Sequence, residues 1–206
     1  KSTLLTQEAL AAQSLTGSLS FPMSVDDNMY ENFTLSYGDP MEYGPSVMWD
    51  DADIKIGDIL KTLLSMSKKI KGYSQIRYLA GEEVFMALVN KVTALSDTSS
   101  IKAEVTDKGI RIAGLTIELF NEEYTHPVDQ TTQYVVAPDK VLAVALDGAA
   151  TIIYLAIDDL DAKCQPLPFF AKVVKQDVPS GYQIVSQSRP LPVPNMKAIC
   201  WATVLA

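Results

Sequence analysis

Basic residues, histidine and cysteine are all scarce in this chain, and each shortage closes off a class of chemistry. Seventeen Lys+Arg against 25 Asp+Glu leave a formal net charge of −8 over 206 residues, with a pI near 4.6. A chain of that sign repels phosphate backbones, and its aromatics are not interleaved with Lys or Arg, so nucleic acid is a poor partner. The single histidine, His126, precedes Pro127 in a polar stretch and reads as a surface turn, not as the base of a nucleophilic triad. Cys164 and Cys200 lie far apart in sequence and, with one histidine, supply too few ligands for a tetrahedral structural zinc. Two buried free thiols are expected rather than a disulfide. Neither phosphate-cradling glycine loop, G-x-x-x-x-G-K-[ST] or G-x-G-x-x-G, occurs, which argues against nucleotide chemistry. No run of about eighteen apolar residues is present, and Lys1 to Leu10 lacks the pattern of a secretory signal, so the chain reads as soluble and intracellular. The triplet Asn32-Phe33-Thr34 is then a chance match to a glycosylation acceptor. The chain starts at Lys1 and not at a methionine, so a portion ahead of it is expected.

What is abundant is apolar surface: 48% of residues are hydrophobic and 20% charged, enough for a real core in one large domain or two small lobes. Leu4, Leu5, Ala9, Ala12 and Leu15 recur at helical spacing ahead of Gly17, which predicts the end of a longer helix over 1–16. From Ser18 to Asp50 three prolines punctuate the chain and Phe33, Leu35 and Tyr37 alternate, which predicts an extended connector between lobes. Asp53 offers an N-cap for a helix bearing Ile56, Ile59, Leu60, Leu63, Leu64 and Ile70, with Lys68, Lys69 and Lys71 at its negative end and Gly72 as stop. A strand over Gln75–Leu79 leads to a second helix, Glu82 to Leu95, with Val84, Leu88, Val92 and Leu95 on one face.

Beyond Ser100 the period becomes two. Ile101, Ala103 and Val105 alternate, Asp107-Lys108-Gly109 supplies a turn, and Ile110/Ile112 then Leu115/Ile117/Leu119 follow with a bulge expected at Gly114. Two dense runs, Val141–Leu146 and Ile152–Ile157, flank the turn dipeptide Asp147-Gly148. Further strands are expected over Phe169–Val174, Tyr182–Ser188 and Lys197–Leu205, with Pro190, Pro192 and Pro194 forcing an extended path between the last two. The class is α+β.

Carboxylates cluster twice, at Asp50, Asp51 and Asp53 and at Asp158, Asp159 and Asp161, and such groups can hold Mg²⁺ or act as acid and base. The first cluster stands where helix caps stand, the second follows a strand as a solvated turn would, and neither carries the glycine an EF-hand needs. No catalytic, cofactor-binding or metal-ligating residue is assigned on this reading, and a structural or interaction protein is the economical expectation. The alternative is a small metal-dependent hydrolase built on one of those Asp clusters.

Five segments, in order, resemble the major capsid protein E family of lambda-type tailed phages. They are Trp49-Asp50-Asp51 running through an amphipathic helix to Gly72; Ile76 to Leu88; Gly114 to Phe120 with Tyr124; Pro138-Asp139-Lys140-Val141-Leu142; and Gln187-Ser188-Arg189-Pro190-Leu191-Pro192-Val193-Pro194 before a closing strand, Ala198 to Leu205. The resemblance spans about residues 45–206 and implies the HK97-like tailed-phage capsid fold, an axial lobe plus a peripheral lobe with a spine helix. On it, 1–48 would hold the end of the spine helix and an extended peripheral segment, 49–165 an axial-type α+β lobe, and 166–206 C-terminal strands closing the sheets. The implied role is a major head protein of a tailed phage or prophage, self-assembling in pentamers and hexamers into an icosahedral shell around the DNA genome. It implies no enzyme activity, no cofactor, no metal, no sequence-specific nucleic-acid binding and no membrane. The partners would be copies of the chain, with scaffolding and decoration proteins as further ones; the place would be the virion, after production in the bacterial cytoplasm. The family's N-terminal arm and extended loop precede the spine helix and are not in these residues, so a chain shortened at its start is expected. A decoration or tail-tube subunit would share the strands but not the central helix, strand and helix.

Overall fold

In the computed structural model, which describes residues 2–26, 29–94, 101–148, 150–177 and 179–206, the change of period near residue 100 becomes a change of structure. The first part holds α1 (Ser2–Ser14), a hairpin of β1 (Ser18–Asp26) and β2 (Met29–Ser36), the short β3 (Met41–Glu42), α2 (Ile56–Lys69), β4 (Ile76–Ala80) and α3 (Glu82–Thr93). Strands follow: β5 (Ala103–Thr106), β6 (Gly109–Ile112), β7 (Leu115–Leu119), β8 (Glu123–Thr125), β9 (Thr132–Tyr134), β10 (Lys140–Ala145), β11 (Thr151–Tyr154), β12 (Phe170–Asp177), β13 (Ser180–Gln187), β14 (Pro190–Val193) and β15 (Ile199–Thr203).

Seven strands form one mixed sheet in the order β3-β15-β10-β4-β7-β6-β5, parallel at β15/β3 and β4/β7 and antiparallel elsewhere. Its central strands are apolar on both faces, as a sheet covered twice requires. On one face Tyr78, Ala80, Val141, Ala143, Ile110, Ile117, Cys200 and Ala202 meet Ile59, Leu63 and Met66 of α2 and Val84, Leu88 and Val92 of α3. The many alanines here let α2 approach β10 and β15, while α3 lies over β5, β6 and β7. Ile59, Leu63 and Met66 are each 0% exposed. Burial on that scale is worth about 1.5–3 kcal/mol per side chain as an upper figure. Tyr78, its hydroxyl pKa raised by burial, donates to the Leu63 carbonyl at 3.0 Å and pins α2 to the sheet. On the other face Leu79, Leu142, Ile199 and Trp201 pack with Val136 and Leu15, and the Trp201 indole N–H donates to the Leu15 carbonyl at 2.9 Å. That bond docks the end of α1. A third cluster, Leu10, Leu19 and Leu191, joins α1 to β1 and β14.

Several expectations meet corrections here. Asp53 does not cap α2: the N-cap is Lys55, whose N–H donates at 3.3 Å to the carboxylate of Asp58, one turn inside, while the Asp53 N–H donates to Asp51. In α1 Leu5 is 59% exposed and Leu10 is buried instead, because the helix is gripped from β1 and β14. The connector is a hairpin over β1 and β2, with the Phe21 and Phe33 rings 5.3 Å apart, before the chain reaches β3. Ala113 and Gly114 both take positive φ, 48° and 91°, so they form the tight turn joining β6 to β7 rather than a bulge. Asp147-Gly148 does turn the chain, but β10 and β11 do not pair; β10 lies between β4 and β15, and β11 pairs with β14. Leu95 lies outside the described residues. Gly17 is a position only glycine fits: its φ is +93° and a Cβ would strike the Gly38 carbonyl.

Candidate functional site

The two acidic clusters are engaged by groups of the chain itself. Asp51 accepts from the Asp53 N–H at 3.0 Å, and Asp50 accepts from the Ala206 N–H at 3.4 Å, so these carboxylates serve a loop and the C-terminus. Asp159 and Asp161 both reach the Lys172 ammonium, at 2.7 and 3.0 Å, and Asp158 stands 4.0 Å from the Arg189 guanidinium. The hydrogen bond from Lys172 holds the Asp159 carboxyl below the usual carboxylate range, and Asp159, then Asp161, raise the Lys172 ammonium in turn. Among the described residues no group of three or more His, Cys, Asp and Glu is placed to hold a metal ion. The mechanical consequence is clear. Lys172 sits on β12, and the two aspartates sit on the loop after β11, so the pairs clamp the β12–β13 hairpin to the body.

His126 lies at the turn between β8 and β9, its Nδ1 3.1 Å from Asp129 Oδ1. The same carboxylate accepts from the Thr131 N–H and hydroxyl at 3.0 and 2.7 Å, and those bonds lower its pKa. Asp129 therefore shapes the turn, as the sequence suggested for His126. Cys200 is buried, which pushes its thiol up to about 11, but Cys164 is exposed, against expectation, on a loop whose backbone runs through positive φ at Lys163 and Cys164.

The molecule's distinctive surface is apolar. In the β12–β13 register Val173 faces Ile184 and Lys175 faces Tyr182, so these four share one face of the hairpin. Val173 is 63%, Ile184 74% and Tyr182 78% exposed, with Phe169 at the foot of the hairpin 65% exposed. Lys172, two residues from both Phe170 and Val174, belongs to the opposite, anchored face. An alternation that predicts a half-buried strand is thus present, but its apolar side points outward. A second feature lies at the edge of the main sheet, a groove of about 690 Å³ beside β3 lined by Asp39, Pro40, Glu42, Tyr43, Met48 and Trp201, among others. Sequence reasoning named neither surface, since apolar alternation looks the same whether a strand's cover is its own chain or another.

The sequence profile described as "phage major capsid protein E" matches residues 2–204. A crystal structure described as a prophage capsid protein from E. coli CFT073 shares the fold at TM-score 0.64 and 18% identity, covering 97% of this chain. This chain spans 62% of that protein's length. The capsid structure of the cyanophage P-SCSP1u superposes at TM-score 0.42 with 12% identity, over 98% of this chain and 62% of the other, too loosely to carry an argument. No curated protein sequence matches.

Proposed function

The chain belongs to the phage major capsid protein E family, and on that premise we propose that it is a structural subunit of a tailed-phage or prophage head, self-assembling into the icosahedral shell that encloses the DNA genome. The observation that carries the reading is the family match over nearly the whole chain, residues 2–204, together with the likeness in fold to the E. coli prophage protein. A shell subunit works by matching edges to copies of itself in closed rings of five and six. Each contact can be modest, because the lattice multiplies it. The seven-stranded sheet with α2 and α3 suits an axial lobe, and α1 with the β1–β2 hairpin suits the end of a spine helix and a peripheral segment. The boundaries 1–48, 49–165 and 166–206 follow the proposed lobes. Strands β14 and β15 of the last segment pair with β11 and β10 of the middle one, as strands closing the sheets would. The role is structural, not enzymatic; scaffolding and decoration proteins are further partners, and the virion, after synthesis in the host cytoplasm, is the location. A net charge of −8 over these 206 residues fits a wall that does not adsorb the packaged phosphates.

Negative-stain microscopy of the whole gene product tests this: shells or shell fragments are expected, and monodisperse monomers under every salt condition would overturn it. The hydrolase alternative predicts micromolar Mg²⁺ or Mn²⁺ binding lost in Asp159→Asn. With Asp159 already engaged by Lys172, calorimetric titration is expected to show no such binding.

A further inference from the structure

The hairpin face and the edge groove have complementary chemistry. Four side chains, Phe169, Val173, Tyr182 and Ile184, are each exposed by 63% or more. Together they present on the order of 500 Å² of apolar surface if each aromatic offers about 150–250 Å². That is the upper end of what a monomer leaves uncovered. Residues 168–188 also carry Lys172 and Lys175 against Asp177, a basic excess in a chain whose net charge is −8. Lys172 is spent on the body, whereas Lys175 is exposed and lies in the apolar face, across from Tyr182. Two such faces stacked on each other would bring two Lys175 ammonium groups together, so self-stacking is disfavoured. The groove beside β3 offers the opposite: apolar walls from Tyr43, Met48 and Trp201, with exposed Asp39 and Glu42 outnumbering Lys140.

Resting on the reading of the chain as a self-assembling shell subunit, we propose that the outer face of the β12–β13 hairpin of one copy docks into the β3 groove of the next, with Lys175 set against Asp39 and Glu42. The contact is heterologous, hairpin to groove, and so can close a ring rather than stop at a pair. At about 500 Å² a side it falls short of the roughly 800 Å² of a standard interface. Alone it is weak, and it gains strength only where many copies engage together.

Charge exchange tests it. In sedimentation equilibrium at low salt, Lys175→Glu and Glu42→Lys are each expected to weaken association of this chain about tenfold. The double variant is expected to recover most of that loss. Ile184→Ser is expected to weaken association while circular dichroism and melting remain those of the parent chain. Association unchanged by either charge variant, no recovery in the double variant, or no association of the parent chain overturns the contact. Stronger association of the neutral variant Lys175→Gln, which relieves repulsion only where two such faces meet, overturns it in favour of stacked hairpins. Microscopy separates the two claims: shells from the whole gene product carrying Lys175→Glu, as regular as the parent's, leave the capsid reading standing and remove this contact, whereas no shells from the parent removes the capsid reading itself.

Discussion

The β10 strand and the β12–β13 hairpin are both apolar strands in the C-terminal half, yet they end in opposite surroundings. In β10, Val141, Leu142 and Ala143 are at most 1% exposed, whereas Val173, Tyr182 and Ile184 of the hairpin lie at 63% or more. The difference is one of neighbours. β10 has β4 and β15 on its two edges, helix α2 on one face and the Trp201 cluster on the other. Among the described residues, the hairpin is held by the pairing of its own two strands and by the ion clamp at its foot. A two-stranded ribbon is marginal alone. Its apolar face is therefore left uncovered among the described residues, while the sheet is covered within them.

Breaking the covered region has the largest expected effect. Leu63→Ala removes a fully buried side chain between α2 and the sheet and is expected to cost about 2–5 kcal/mol in chemical denaturation. Next, Gly17→Ala forces a Cβ toward the Gly38 carbonyl at a positive φ. A loss of about 1–3 kcal/mol is expected, with the end of α1 loosening in hydrogen exchange. The two thiols sharpen the contrast: at pH 8 an alkylating reagent is expected to modify the exposed Cys164 quickly and Cys200, buried in the sheet with its thiol pKa near 11, only on unfolding. Equal labelling rates would show the sheet to be open.

The smallest effect concerns the clamp. Asp159 has a lowered pKa, so its contribution is present above the ordinary carboxylate range and lost as pH falls through the lowered value. Lys172 has a raised pKa, so its share is present below the ordinary lysine range and lost as pH rises through the raised value. Amide exchange in the hairpin is therefore expected to be slowest, relative to the intrinsic rate, between those limits and to quicken at the acid end before the sheet melts. In Lys172→Ala that acid step is expected to vanish. A hairpin that keeps the step without Lys172 would place its anchor elsewhere.

The local signals carried far. Period-3.6 spacing marks buried faces at Ile56, Ile59, Leu63, Val84, Leu88 and Val92, because the side chains that a helix stacks every three or four residues must be covered together, whereas Leu64, at the margin of the α2 stripe, is exposed. The Asp107-Lys108-Gly109 turn was legible because glycine tolerates a φ of +131° there. The cap of α2 is not Asp53, although its chemistry suits one, because the backbone begins the helix after Lys55, whose N–H is taken up by Asp58. At Asp147-Gly148 the expected turn is present, but a turn motif fixes a reversal of direction, not which strands then pair: β11 pairs with β14. The acidic clusters are neither the cap of α2 nor a fully solvated turn: Lys55 is the N-cap, and the Asp159 side chain, 8% exposed, pairs with Lys172, a partner on β12 that only folding brings near.

Composition and spacing by themselves determined the α+β class, the two central helices and the strand-rich second half, since each depends on neighbours within a turn of helix or a few residues of strand. Tertiary structure alone decided the order of the seven strands, the sheet's two covered faces and the outward apolar face of the β12–β13 hairpin. Those depend on contacts between residues far apart in the chain, and one amphipathic strand carries the same pattern whether its cover comes from its own chain or from a neighbour.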